Sequence, residues 1–317
     1  MRIVFMGTPE FAVASLEALI QNKLNIVAVV TAPDKPAGRG KLLTESPIKK
    51  FALTHNLPLL QPANLKSSDF AQELKAINAD LQIVVAFRML PEIIWNMPRL
   101  GTYNLHASLL PAYRGAAPIN WSIINGENYS GVTTFKLVHE IDAGNILFQE
   151  KIEIADFENS GDLHDKLKIT GAQLLVKTIK AISNADENKI ELPFIKQDET
   201  KISHAPKLNR INCKINWHNS AKSIHNLIRG LSPYPGAYSI LMLENKELSE
   251  WKILKSNYQL KSHAEKAGTL LIENYKIMVF AKDGIIEIIE LQQQGKKRML
   301  SADFLRGFKF QSGYCLQ

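Results

Sequence analysis

Cysteine is nearly missing from this chain of 317 residues: Cys213 and Cys315 are the only two. They supply neither a disulfide framework nor a set of thiolate ligands, which suits a reducing compartment. No apolar run approaches the roughly 20 residues needed to cross a bilayer, so no membrane span is expected. The opening residues MRIVFMGTPEF lack the charged, apolar and small-residue regions of a signal peptide and read as a strand and a turn. A cytoplasmic protein is expected, and a monomer.

Familiar catalytic signatures are absent as well. The turn after the first strand holds only Gly7, not G-x-G-x-x-G, so a dinucleotide site has little support. Ala32–Lys50 is not a P-loop, because Lys35 and Leu42 stand where that motif needs Gly and Ser or Thr. There is no G-x-S-x-G elbow, and Ser108 lies in Ala-Ser-Leu. The 8 histidines are scattered without H-E-x-x-H or C-x-x-C partners, so no metal is expected.

What is present is an ordinary globular composition, 45% apolar and 22% charged, on a chain long enough for two domains with a core each. Its net charge of +7 is unevenly placed. Lys207 onward carries 17 Lys and Arg against 9 Asp and Glu; the residues before it carry 21 against 22. A near-neutral part followed by a basic part suits a chemical domain joined to one that meets a polyanion, the plain alternative being a solvated basic surface.

Arg2–Met6 reads as a buried strand, Phe11, Ala14, Leu16, Leu19 and Ile20 as one face of a helix, and Asn25–Thr31 as a second strand. Thr8 is placed to cap that helix and Pro9 to open it. This βαβ unit implies a parallel sheet. Ala32–Lys50 has three prolines and two glycines, which deny it regular structure. It is a basic loop that touches substrate phosphates or simply a solvated connection. Leu81–Phe87 is an almost unbroken apolar strand, as parallel sheets require. Further strands are expected at Leu57–Gln61, Thr102–His106, Gly131–Leu137 and Gly144–Ile154. Helices are expected at Asp69–Asn78, Pro91–Asn96, Ala117–Asn125 and, capped by Ser160, on to Ile182. The polar stretch around Pro193 and Pro206 reads as a linker. Beyond it come a helix at Ala221–Gly230 and short strands at Ala237–Leu243, Trp251–Leu254, Gly268–Ile272, Ile277–Phe280 and Ile285–Leu291. The expected architecture is α/β. A Rossmann-like, mostly parallel sheet occupies 1–189, a linker 190–206, and a small antiparallel β-barrel 207–317.

Asn104 and His106 end the strand Thr102–His106, and alternate strand residues share a face. In open α/β sheets ligands bind outside the carboxyl ends of the strands. An amide can donate to an oxyanion, and an imidazole can move a proton. Asp142, in Ile-Asp-Ala-Gly, can orient or charge the histidine or hold a water. With no nucleophile in an evident elbow, the set favours direct transfer of an activated acyl group to an amine. Each part also has a bland reading: a bonded strand end, a core histidine, a turn aspartate.

Asn104-Leu105-His106-Ala107-Ser108-Leu109-Leu110-Pro111, followed by Tyr113-Arg114-Gly115-Ala116-Ala117-Pro118-Ile119, resembles the signature of the folate-dependent formyltransferases. The resemblance runs through nearly the whole chain. It takes in Phe5-x-Gly7-Thr8-Pro9-x-Phe11, the run Pro33–Gly40, Ile141–Gly144, Ile228-Arg229, Pro233–Ala237 and Gly295–Met299. It implies an OB-like second domain and transfer of formyl from 10-formyltetrahydrofolate to the amine of initiator methionyl-tRNA, a step of translation initiation. It implies Asn104, His106 and Asp142 as the catalytic set, and Ser108, Leu109, Leu110 and Pro111, with Phe87 and Arg88, beside the folate. The tRNA is expected at Lys35, Arg39 and Lys41 and at Lys296, Lys297 and Arg298. The chain departs from the family pattern twice. Val84–Pro91 is one residue short and has Arg88 at a glycine position, and Asn145 replaces an acid.

Three rival readings share these residues: a formyltransferase of the same fold acting on a small amine, such as glycinamide ribonucleotide or an amino sugar; a hydrolase that deformylates the folate; and a non-catalytic RNA-binding protein.

Overall fold

The structure, a computed structural model, describes residues 1–37, 42–311 and 313–317. Arg39 and Lys41 lie outside the described residues. The strands in chain order are β1 (Ile3–Gly7), β2 (Ile26–Val30), β3 (Lys35–Ala37), β4 (Leu42–Thr44), β5 (Leu59–Leu60), β6 (Leu81–Val85), β7 (Thr102–His106), β8 (Arg114–Gly115), β9 (Tyr129–Lys136), β10 (Ile146–Glu153), β11 (His204–Ala205), β12 (Ala237–Leu243), β13 (Lys246–Leu260), β14 (Leu270–Glu273), β15 (Lys276–Phe280), β16 (Gly284–Gln293), β17 (Met299–Leu300) and β18 (Tyr314–Leu316). The helices are α1 (Glu10–Gln21), α2 (Pro47–Thr54), α3 (Ser68–Ala76), α4 (Glu92–Trp95), α5 (Pro118–Ile124), α6 (Ser160–Asn188), α7 (Ala221–Gly230) and α8 (Ser301–Gly307).

The chain divides into two compact units. The first holds Met1–Gly115, Ser130–Ile152 and His164–His204; the second holds Ala116–Tyr129, Glu153–Leu163 and Ala205–Gln317.

In the first unit one sheet runs in the order β10-β9-β7-β6-β1-β2-β5. β1, β2, β5, β6 and β7 are parallel, and β9 joins β7 antiparallel. Every residue of β1 and β6 is buried, which explains their almost entirely apolar sequences, Gln82 being the polar exception in β6. Val4, Met6, Val30 and Val84 pack on one face against Phe70, Leu74 and Ile94. The chain leaves β1 toward β2 and later returns to β6 on the other side of β1, so the strand order reverses between β1 and β6. Such a reversal opens a crevice at the carboxyl ends, where ligands bind.

Several expectations are corrected here. The basic loop is partly regular: β3 pairs with β4, and Ser46 caps α2 by accepting from the Lys49 backbone N–H at 3.0 Å. Lys49 is not free for phosphate, because it pairs with Asp34 and Glu45. Thr8 does not cap α1; Pro9 occupies the cap position and the Thr8 hydroxyl is buried. The strand expected to reach Phe87 stops at Val85, because Ala86 turns to φ +47°. Asn159, not Ser160, caps α6: its Oδ1 accepts from Gly161 and Asp162.

In the second unit the strands run β14-β15-β16-β13-β12-β18, and Thr269 bridges back to Cys315 to close the ring. Trp251, Ile253, Ile277, Val279, Ile286 and Ile288 fill it, together with Ile224 and Ile228 of α7. α7 and β12 have the expected limits, whereas β13 runs 15 residues instead of four, Trp251–Leu254. Register shifts near Lys255 break its period-two pattern, which hid its length in the sequence. Asn120 of α5 donates to the Gly230 carbonyl at 2.8 Å, and Ile124 lies where a Cβ on Gly230 would intrude, so α5 belongs to the packing of this unit.

His225 of α7 bonds Ser256 across 3.0 Å. Burial, reinforced by the Arg229 charge, pushes its imidazole down to about 4. Its ordinary value is about 6.5, so between those values the unfolded chain binds more protons than the folded one. Stability is therefore full above about pH 6.5 and falls by roughly 2–3 kcal/mol as the pH drops toward 4. Urea unfolding at pH 7 and pH 5 should show this loss, and His225→Gln should flatten it.

Candidate active site

β7 carries Asn104 and His106 to the open end of the sheet beside β6, with Val85 opposite Leu105. Leu105 points the other way, toward Gly171 of α6, so Asn104 and His106 share the opposite face. His106 is buried, and its Nε2 lies 2.9 Å from the Tyr113 carbonyl oxygen. A carbonyl only accepts, so Nε2 holds the proton. Nδ1 then faces Asp142, whose Oδ2 is 3.8 Å away. That is too long for a direct hydrogen bond and near enough for a charged contact. The same Oδ2 accepts from the Gly115 backbone N–H at 2.9 Å. Among the described residues the Asn104 side chain has no hydrogen-bond partner.

Asp142 sits in a left-handed turn with φ +53°. Gly144 permits the turn to close: a Cβ there would lie 1.7 Å from the Lys136 carbonyl oxygen. The loop after His106 is tied from within. Ser108 Oγ donates to the Ala112 carbonyl at 2.6 Å, and Thr133 Oγ1 donates to the Ser108 carbonyl at 2.6 Å. Gln149 Nε2 donates to the Leu110 carbonyl at 2.9 Å. Ser108 and Leu110 are buried, so Leu109 and Pro111 provide the accessible side chains of this run.

Phe87 and Arg88 follow β6, where the strand order reverses. Arg88 donates to the carbonyls of Pro62 at 2.9 Å and Ala63 at 3.3 Å and lies 5.2 Å from the Phe87 ring centre. Burial lowers the affinity of its guanidinium for its proton. In place of a glycine turn, a side chain staples this loop to the segment after β5. Arg88 Nε and Thr8 Oγ1, both buried without a protein partner among the described residues, lie just past the carboxyl ends of β6 and β1. Orphaned polar atoms at such a crevice fit a polar ligand.

Of the positions expected to meet nucleic acid, Lys35 is exposed on β3, and Lys296 and Lys297 are exposed between β16 and β17. Arg298 differs: Glu290 holds its guanidinium through both carboxylate oxygens. The described residues contain no cluster of three or more His, Cys, Asp or Glu able to hold a metal ion, and none of their helices is long and apolar enough to cross a membrane.

Sequence reasoning missed Thr133, Gln149 and Gln197. They act through main-chain and amide contacts between distant segments, and no local motif marks such contacts.

Residues 1–179 match the family model described as formyl transferase, and 207–309 match the formyl transferase C-terminal domain. The chain belongs to the formyltransferase family. Its curated relatives narrow the kind. A methionyl-tRNA formyltransferase of Flavobacterium johnsoniae is 51% identical over 310 residues, 98% of this chain and 97% of the relative. One from Bacteroides thetaiotaomicron is 49% identical over 318 residues, 99% of this chain and 98% of that one. Solved structures share the fold. WlaRD, a sugar 3N-formyltransferase crystallised with dTDP and 5-N-formyl-THF, superposes with a TM-score of 0.65 at 22% identity, covering 94% of this chain and 99% of its own. HypX from Aquifex aeolicus, in complex with tetrahydrofolic acid, gives 0.63 at 18% identity, covering 98% of this chain and 48% of its own.

Proposed function

We propose that this chain transfers the formyl group of 10-formyltetrahydrofolate to the α-amino group of initiator methionyl-tRNA. The observation that carries this reading is the 51% identity to a methionyl-tRNA formyltransferase across 98% of the chain. A second methionyl-tRNA formyltransferase, 49% identical over 99% of the chain, supports it through the basic second part as well.

The site residues divide the work by geometry. Asn104 has a free amide and donates to the oxygen that becomes negative when the methionyl nitrogen bonds the formyl carbon. His106 has committed Nε2 to Tyr113, so it works through Nδ1, taking the proton the amine must lose. Asp142 faces that nitrogen and balances the charge formed on the ring. The bond from the formyl carbon to the folate nitrogen then breaks, and the proton passes to that nitrogen by way of Asp142 and a water. No covalent enzyme intermediate is needed. Phe87, Arg88, Leu109 and Pro111 border the donor, and Ser108 and Leu110 shape the loop from inside. The orphaned Thr8 and Arg88 atoms fit a donor with several polar edges. Lys35, Lys296 and Lys297, with Arg39 and Lys41, meet the phosphates of the tRNA; Arg298, neutralised by Glu290, contributes less. We read the second part as an RNA-binding one and the protein as a cytoplasmic monomer.

The test is incubation with 10-formyltetrahydrofolate and charged methionyl-tRNA, initiator against elongator, scoring the blocked amine. Initiator should be blocked preferentially. Preferential formylation of glycinamide ribonucleotide or an amino sugar overturns the reading, as does formate release without an acceptor. A second expectation concerns salt. With about five phosphate contacts, raising salt from roughly 50 to 200 mM should weaken tRNA binding roughly 100- to 500-fold. A flat response in a binding titration would favour a small substrate.

A further inference from the structure

Residues 190–206 read as a tether in the sequence, yet they form a strap stitched to both loops of the site. Ile195 pairs with Ile146 through two backbone hydrogen bonds of 2.8 Å. Ser203 Oγ accepts from the Tyr113 backbone N–H at 2.9 Å, and the Ser203 carbonyl accepts from Arg114 at 2.9 Å. Between these anchors lies Gln197, only 5% exposed. Its Nε2 donates to the carbonyls of Asp142 at 2.7 Å and Gly144 at 2.8 Å. Its Oε1 accepts from Arg114 Nε at 3.0 Å and from a terminal guanidinium nitrogen at 2.6 Å.

We propose that Gln197 is a positioning residue for formyl transfer: its amide fixes the left-handed Asp142 turn and, through Arg114, the neighbouring Gly115 N–H, so that the carboxylate stays within reach of His106. The inference rests on the roles given above to Asp142 and His106.

The chemistry of the amide supports it. A primary amide has two N–H donors and an oxygen with two lone pairs, and here all four are used. Both donors converge on the main chain of one turn. That turn benefits from holding, because any non-glycine residue, Asp included, gives up some conformational freedom to stay in the left-handed region. The two fixed points of Asp142, its own carbonyl and the Gly115 N–H bonded to its Oδ2, are thereby tied to a single side chain, the second by way of Arg114. A glutamate at 197 would keep the Arg114 partner but set a carboxylate oxygen against two carbonyls. An alanine would leave both carbonyls and the guanidinium without this partner. Because Ile195 and Ser203 anchor the strap by backbone and hydroxyl bonds, its path does not depend on the Gln197 side chain.

The experiment is a double-mutant cycle in the full chain with Gln197→Ala, Gln197→Glu, Asp142→Asn and the combinations, measured with initiator methionyl-tRNA and 10-formyltetrahydrofolate. A misplaced catalytic group costs up to about 100-fold, so Gln197→Ala should lower kcat by roughly 10- to 100-fold while both KM values move less than about twofold. Gln197→Glu should lose a comparable factor, which provides the reading if the alanine variant folds poorly. In the Asp142→Asn background either change should add less than about twofold, since coupled residues are not additive. Equal losses in both backgrounds, losses confined to KM, or full activity of Gln197→Glu overturn the inference. Full activity of Asp142→Asn alone would instead overturn the role of Asp142 itself, and the inference with it.

Discussion

His106→Ala is expected to lower kcat by roughly 100- to 10,000-fold, the range of a lost general base, while folate affinity stays near that of the native chain. The His106 ring is held between the Tyr113 carbonyl and Asp142, behind a loop whose own bonds to Thr133 and Gln149 do not involve it. Removing the ring therefore deletes a proton acceptor and leaves the loop beside the donor intact. Asn104→Ala should cost roughly 100- to 1,000-fold, the range of one lost oxyanion donor. Single-turnover rates with formyl donor and charged tRNA, set beside folate titration by fluorescence, separate the two quantities. Near-native turnover of His106→Ala would end the proposed scheme.

Gly144→Ala is expected to slow transfer at least about 100-fold although residue 144 touches no substrate in this scheme. The added carbon would fall 1.7 Å from the Lys136 carbonyl oxygen and 3.1 Å from the Phe135 ring. The first neighbour is backbone of β9 and cannot step aside, so the turn must move, and Asp142 moves with it. Overpacking that forces backbone shifts typically costs about 1–3 kcal/mol, and a contact this short places Gly144→Ala at the upper end. The variant should melt lower, and below its melting point it should still bind folate but transfer formyl at most about one-hundredth as fast. Native turnover with a lowered melting temperature would show that the turn tolerates displacement.

Much of the fold is written locally. β1, β2 and β6 are legible because a strand buried on both faces must be apolar along nearly all its length. α7 is legible because Ile224 and Ile228 recur at helical spacing and Ser220 accepts at its cap from Ser223. β13 is not, because its bulge and its exposed ends erase the alternation. α8 and β18 are seven and three residues long, too short for either periodicity to register. Within the site, Asn104 and His106 can be found from their spacing and Asp142 from its turn. Gln197 cannot, because its bonds reach 53 and 55 residues back along the chain, and a polar, proline-flanked stretch looks the same whether it is solvated or stitched down.

The interleaving of the two compact units bears on how such a protein can be recombined. α5 and residues 153–163 count with the second unit although they precede most of it in sequence. A chimera joined only near residue 206 would graft a foreign barrel onto a resident α5, pairing Ile124 and Asn120 with a stranger's equivalent of Gly230. Exchange between relatives should succeed only where that small knob and its socket travel together, so gene shuffling at the obvious seam selects partners by the fit of one helix turn.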